Sequence, residues 1–239
     1  MKSMKKMAWD KVKTVVASWR IGDYIRQTSI VVIGVLITFG GSELVTRCSE
    51  QKDIKSTMLL IRDELKSNRK NFETVVSEFC EDERLSALLV KHDMNVREIP
   101  EDSLKQFRYS LGKIRNFAYI RNALDILKNS MLMQKISDKE LLLSLTDIYE
   151  TLEGYKMSVN GYYNMKEEAV IPFYLMLTDE QTDKVNEGGW EAWEICLSDR
   201  KQRNFWKIPK GYFTPDYRER IEQKIDKMIQ IIDEKYGKK

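Results

Sequence analysis

The apolar positions of this chain follow two kinds of pattern. One is continuous. Gln27 to Ser42, QTSIVVIGVLITFGGS, is sixteen residues without a charge, in a chain that is 32% Asp, Glu, Lys and Arg. The other is periodic. Ile54, Met58, Ile61, Leu65, Asn68, Phe72, Val75 and Phe79 alternate four and three residues apart. That is the 3.5-residue period of a helix packed along another helix. Leu59, Leu60 and Val76 widen the stripe, which favours a bundle inside one domain. Asn68 is the lone polar member and is expected at the stripe's edge.

Further stripes follow. Leu104, Phe107, Leu111, Ile114, Phe117, Leu124 and Leu127 predict a second helix from Pro100 to about Ser130, perturbed near Gly112 and Asn116. Ser137-Asp138-Lys139-Glu140 reads as a capping box with Ile136 and Leu141 as its hydrophobic staple. The helix it opens carries Leu141, Leu145, Ile148, Leu152 and Tyr155 and is expected to fade near Asn160-Gly161. Pro172 interrupts the apolar patch Ile171 to Leu177. Thr178 with Gln181 caps a short helix that ends before Gly188-Gly189. An irregular aromatic stretch then runs from Trp190 to Tyr217. Thr214 and Pro215 open the last helix, whose stripe is Ile221, Ile225, Met228 and Ile232, and Gly237 stops it. Helical patterns without strands predict an all-α fold, with residues 47–239 forming an antiparallel bundle of four main helices.

The continuous run implies a different solvent. Its heart, Ile30 to Phe39, is short, but extension through Leu44, Val45 and Thr46 reaches the roughly 20 residues a spanning helix needs. Glu43 is tolerated near the interface. The prediction is a transmembrane helix over 27–46, and the alternative is an internal helix of a soluble helical scaffold. Residues 1–26 carry seven Lys or Arg against two Asp, whereas residues 43–66 are balanced. Basic flanks stay cytoplasmic, so the N-terminus is expected inside and the C-terminal domain outside a bacterial inner membrane. Trp9, Val12, Val16 and Trp19 share one face of a basic amphipathic segment, 1–26, with Trp9 and Trp19 as interfacial anchors. No small-residue cleavage site follows the run, so it reads as an uncleaved signal anchor. Gly34, Thr38 and Ser42 recur every four residues, a seam along which two such helices approach closely, and this predicts a homodimer.

Two segments carry a family likeness. They are IVVIGVLITFGGSELVTRCSEQKDIKSTMLLIRDELKSNRKNFE and Tyr119 to Leu152, YIRNALDILKNSMLMQKISDKELLLSLTDIYETL. The chain resembles a family of small, uncharacterised single-pass bacterial membrane proteins. Those proteins have a VVIG-type apolar run, a long Glu-, Leu- and Lys-rich helix and a later helix pair. Leu127, Lys128, Ser130, Ile136, Asp138, Glu140, Leu141, Leu145 and Tyr149 match that pair. Where the family has glycine after the serine, this chain has Met131, and the Asn-Asn-Trp-Asn that follows the family's anchor is absent here. The resemblance implies a membrane location and a helical domain, and no chemistry.

The remaining chemistry is sparse. Net charge is +3, with the positive excess at the N-terminal end, which points to a membrane surface and away from nucleic acid. The only histidine, His92, sits in a charged stretch with no nucleophile in a recognisable motif and is expected at the surface. Glu81-Asp82-Glu83 and Glu167-Glu168 read as solvated helix surface. Cys48, Cys80 and Cys196 lack metal-binding spacing and are expected as unpaired thiols, although a Cys80–Cys196 bridge or an intermolecular Cys48 link would suit an exported domain. No catalytic, cofactor-binding or metal-ligating residue emerges, and no cofactor is implied. The expected role is non-enzymatic: binding of a protein partner, or sensing, at the membrane. The alternative is a small membrane-bound enzyme with a pocket in 190–217, where Lys201, Arg203, Lys207 and Lys210 mix with the aromatics.

Overall fold

A computed structural model describes the backbone of residues 2–237, and the side chains other than those of 1–25, 27, 36, 38–44 and 215. Every regular element among the described residues is helical. These are α1 (Lys2–Lys91), α2 (Glu101–Lys105), α3 (Asn122–Asn129), α4 (Leu132–Lys135), α5 (Lys139–Met176), α6 (Asp179–Glu187), α7 (Trp190–Ser198), α8 (Arg200–Phe205) and α9 (Pro215–Tyr236), with 3₁₀ turns at Val96–Glu98 and Pro209–Gly211. The chain divides into two compact units, residues 1–54 and 55–239.

In the first unit, Ile30, Val31, Val32 and Ile33 are 61%, 63%, 49% and 55% exposed, and Val35, Ile37 and Val45 are exposed as well. Four consecutive residues point to all sides of a helix, so this stretch is apolar around its circumference. No helix among the described residues is long and apolar enough to cross a membrane. The predicted span therefore gains no support there; the side chains of Leu36 and of residues 38–44 lie outside those described, as do those of Trp9, Trp19, Thr38 and Ser42. Gly34 is described, and no atom beyond its own helix lies within 4 Å of where its Cβ would stand.

The second unit is an all-α bundle built on α1, α5 and α9. Met58, Ile61, Leu65, Phe72, Val75 and Phe79 are all buried, as the period requires, and so are Ile221, Ile225, Met228 and Ile232 on α9. The predicted four-helix antiparallel plan is corrected in one respect. Contacts between α1 and α5 rise together in sequence: Tyr149 donates to Glu64, Phe72 packs on Tyr155, Phe79 on Tyr162, and Asp82 meets Lys166. The two helices run parallel. Helix α9 opposes them, through Arg62–Asp233, Arg69–Asp226 and Arg218–Glu83.

A parallel pair needs a return path, and the predicted second helix supplies it by not being helical. After α2 the chain turns through residues 106–112 and then runs without regular structure over 113–121. Side chains on α1 hold it in descending order. Glu81 pairs with Lys113, Glu78 with Arg115, Asn71 with the Ala118 carbonyl, and Asn68 with Ile120. Glu64 accepts from the Ala123 N–H at 2.8 Å. From Glu81 down to Glu64 is about 26 Å of helix at 1.5 Å per residue. Ten extended residues reach about 33 Å, enough to retrace that length, whereas ten helical residues reach only about 15 Å.

Local capping signals hold with one shift. Thr178 and Gln181 form the reciprocal box that opens α6, and Gly188 and Gly189 follow with φ of 77° and 86°. Thr214 precedes Pro215 at the start of α9 but makes no side-chain cap bond. The N-cap of α5 is Asp138, which accepts from Leu141 N–H at 2.9 Å, and not Ser137. Helix α5 continues past Gly161 and through Pro172 to Met176. It is carried by tertiary packing: Tyr162, Tyr163, Ala169, Val170 and Phe173 are all buried.

Candidate functional site

The seam of α1 does not stop at Phe79. Continued at the same spacing it passes through Asp82, Ser86 and Leu89, and all three are buried. Extending the heptad register was the sequence signal for this; reading Glu81-Asp82-Glu83 as one charged cluster hid it. Asp82 is 1% exposed, while its neighbours point outward to Lys113 and Arg218. Asn68, expected at an edge, is likewise 1% exposed and takes both the N–H and the carbonyl of Ile120 at 2.7 Å. Glu167 and Glu168 are exposed, as expected.

Asp82 faces Lys166 of α5, itself fully buried. Lys166 Nζ lies 2.6 Å from Asp82 Oδ2, and Tyr162 Oη donates to the same oxygen at 2.8 Å. The rings of Trp206 and Tyr163 stand 5.5 and 5.8 Å from the ammonium, so the cation also rests against aromatic faces. Burial pushes the Lys166 ammonium below the usual lysine range and the Asp82 carboxyl above the usual carboxylate range, and the attraction between the two opposes both shifts. Asp82 Oδ1 and Tyr163 Oη have no hydrogen-bond partner. Both side chains are closed off from solvent in the core.

Trp206 links that core to the surface. Its indole N–H donates to Gln202 Oε1 at 3.2 Å, and its carbonyl accepts from Ser86 Oγ at 2.7 Å. Gln202 Nε2 donates to the Ala169 carbonyl at 2.8 Å, and Cys196 Sγ donates to Gln202 Oε1 at 3.5 Å. The backbone N–H of Lys210 donates to Ser86 Oγ at 3.2 Å. The stretch from Arg200 to Gly211 is therefore two-faced. Gln202, Phe205, Trp206 and Pro209 are buried, while Arg200, Lys201, Arg203, Lys207 and Lys210 are exposed. No carboxylate falls between Asp199 and Asp216. The aromatic segment closes the bundle: Trp193 and Trp206 pack edge to face, Phe213 packs on Phe79, and Trp190 donates to the Ile99 carbonyl.

On the exposed face, Arg203, Lys207 and Lys210 line a cleft of about 390 Å³ with Val90, Asp93 and Met94. None of the three cations makes an ion pair among the described residues. The opposite wall is the end of α1, where Asp93 and Met94 adopt φ of 49° and 62°. The left-handed region is unfavourable for residues with a Cβ, and here it closes α1 through Met94 N–H to Leu89 O at 2.8 Å.

The other singled-out residues lie apart from this cleft. His92 is half-buried, with Nδ1 3.7 Å from Glu98 Oε2. The three cysteines are free thiols: Cys48 exposed, Cys80 half-buried beside Arg218, and Cys196 buried, where burial pushes its pKa far up. Comparison with protein-family models, with curated proteins and with solved structures finds nothing that matches the chain.

Proposed function

We propose that this is a single-pass membrane protein, anchored by residues 27–46, whose helical unit binds a protein partner or senses a ligand at the membrane surface without catalysing a reaction. The observation that carries the reading is the apolar circumference at Ile30 to Ile33, which needs an apolar covering. The basic excess in residues 1–26 argues for an N-terminus in the cytoplasm of a bacterial cell and for the bundle on the far side of the inner membrane. The complete burial of Lys166 and Asp82 argues for a structural use of the one ionic cluster in the core.

Carbonate extraction tests the anchor: the full chain stays in the membrane pellet, and its release would leave a soluble helical scaffold instead. Because Cys48 is exposed and follows the anchor directly, an impermeant maleimide applied to spheroplasts labels it if the orientation is right. The spacing of Gly34, Thr38 and Ser42 supports dimerisation within the bilayer, which Gly34→Ile with Thr38→Ile weakens; unchanged self-association would remove the dimer.

A further inference from the structure

We infer that the cleft between the end of α1 and the α8 segment is a binding site for a hydroxylated phosphate ester, such as a glycerol or sugar phosphate. Three features select that class. Arg203, Lys207 and Lys210 line one cleft, with Asp93 as its one carboxylate, and make no ion pair among the described residues, an arrangement suited to a phosphate dianion through charge-assisted hydrogen bonds. The Arg203 Nε–H is already committed to the Leu197 carbonyl at 3.0 Å, which fixes the side chain and leaves its terminal nitrogens for a ligand. The volume of about 390 Å³ lies in the range of small-molecule sites, about 300–1,000 Å³, and exceeds what a bare phosphate needs.

The opposite wall defines the rest of the ligand. Val90 and Met94 offer an apolar surface to a short carbon skeleton. Asp93 is exposed on the rim, where it repels a simple anion but accepts hydrogen bonds from ligand hydroxyls. Its left-handed φ, with that of Met94, places it there, and strain of this kind gathers at ligand-holding positions. The anchoring of the basic segment also favours a defined geometry. Lys210 N–H and the Trp206 carbonyl are both tied to Ser86, so the backbone carrying the cations is fixed to the same helix that supplies Asp93. The cleft lies wholly in the bundle unit, and its test is independent of the anchor: a chain released by carbonate would still bind here.

The shared chemistry has two sources, a soluble phosphate ester and the glycerophosphate headgroup of an anionic lipid. Full-length protein in neutral detergent at low salt is titrated with glycerol 3-phosphate and with inorganic phosphate. A parallel series adds phosphatidylglycerol or phosphatidylcholine to the micelles. All are read by methyl shifts of 13C-methyl methionine at Met94. Saturable binding of glycerol 3-phosphate, tighter than phosphate, assigns the soluble source. Saturation by phosphatidylglycerol alone assigns the headgroup. In either case Arg203→Ala and Lys207→Ala each weaken binding about tenfold or more, the scale of one charge-assisted hydrogen bond, while Lys201→Ala outside the cleft leaves it unchanged. Asp93→Gly, which suits the left-handed backbone and removes the carboxylate, abolishes the preference for the hydroxylated ligand and tightens inorganic phosphate. Thermal melts matching the parent confirm that the variants fold. Absence of saturation by any probe, or equal affinity in the Arg203→Ala, Lys207→Ala and Lys210→Ala triple variant, overturns the assignment.

Discussion

Two stretches of one helix invert the usual rule of burial. Between Ile30 and Ile37, α1 exposes Ile and Val; between Glu64 and Ser86 it buries Glu, Asn, Asp and Ser among its apolar residues. The difference lies in what each stretch has to satisfy. Among the described residues the first stretch leaves its Ile and Val side chains exposed. Each buried polar residue has a partner distant in sequence: Glu64 holds Ala123 and Tyr149, Asn68 holds Ile120, Asp82 holds Lys166 and Ser86 holds Trp206. The first stretch is specified by its solvent, the second by its contacts.

The comparison breaks most severely at the ion pair. Lys166→Met leaves Asp82 buried without its counter-charge and destabilises the fold by about 3–5 kcal/mol, whereas Asp82→Leu combined with Lys166→Met recovers most of that loss. Denaturant melts of the two variants measure it, and equal destabilisation would show that the pair is not coupled. On the other side, Ile33→Arg places a charge in the middle of the apolar run and opposes bilayer insertion by about 2.5–3.5 kcal/mol. The fraction retained after carbonate extraction falls, while bundle melting stays the same. Asn68→Leu keeps the branched side-chain shape and makes the stripe wholly apolar, but orphans the N–H and carbonyl of Ile120. Ile120 is itself 47% exposed, so each unpaired group costs near the low end of about 1–3 kcal/mol, and this substitution, which looks like an improvement by hydrophobic pattern alone, lowers stability by roughly 2 kcal/mol.

The smallest effect has the opposite sign. Met131 has φ of 59° and is 66% exposed. Met131→Gly relieves the left-handed strain with little packing to lose and stabilises by about 0.5–1 kcal/mol. A lower melting temperature would mean that the Met131 side chain holds the α3–α4 turn.

What the sequence made legible was local. The cap at Thr178, the helix start at Pro215, the stop at Gly237 and the long stripes of α1 and α9 depend on neighbours within a few residues. Three features depended on distant residues and were hidden. Leu104, Phe107, Leu111, Ile114 and Phe117 follow a helical spacing, yet the backbone of Phe117, Ala118 and Ile120 is held by Asn160, Asn71 and Asn68 in turn. The end of α5 is set by what Tyr162 to Phe173 pack against, not by Gly161 or Pro172. The cleft combines basic residues near 205 with a helix end near 93, and only the fold brings them together. Its basic half was visible as cations among aromatics; its acidic and apolar half was not.

The pairing of Asp82 with Lys166 spans 84 residues. Ribosomes add about 5–20 residues per second, so on a growing chain the acid is made roughly 4–17 seconds before its partner exists. During that interval the seam of α1 gains its neighbours one at a time, Phe117 before Tyr155 and Tyr155 before Tyr162, while Asp82 still lacks its counter-charge. Newly made chains therefore pass through a window, fixed by the order of synthesis, in which the acid stands without its counter-charge.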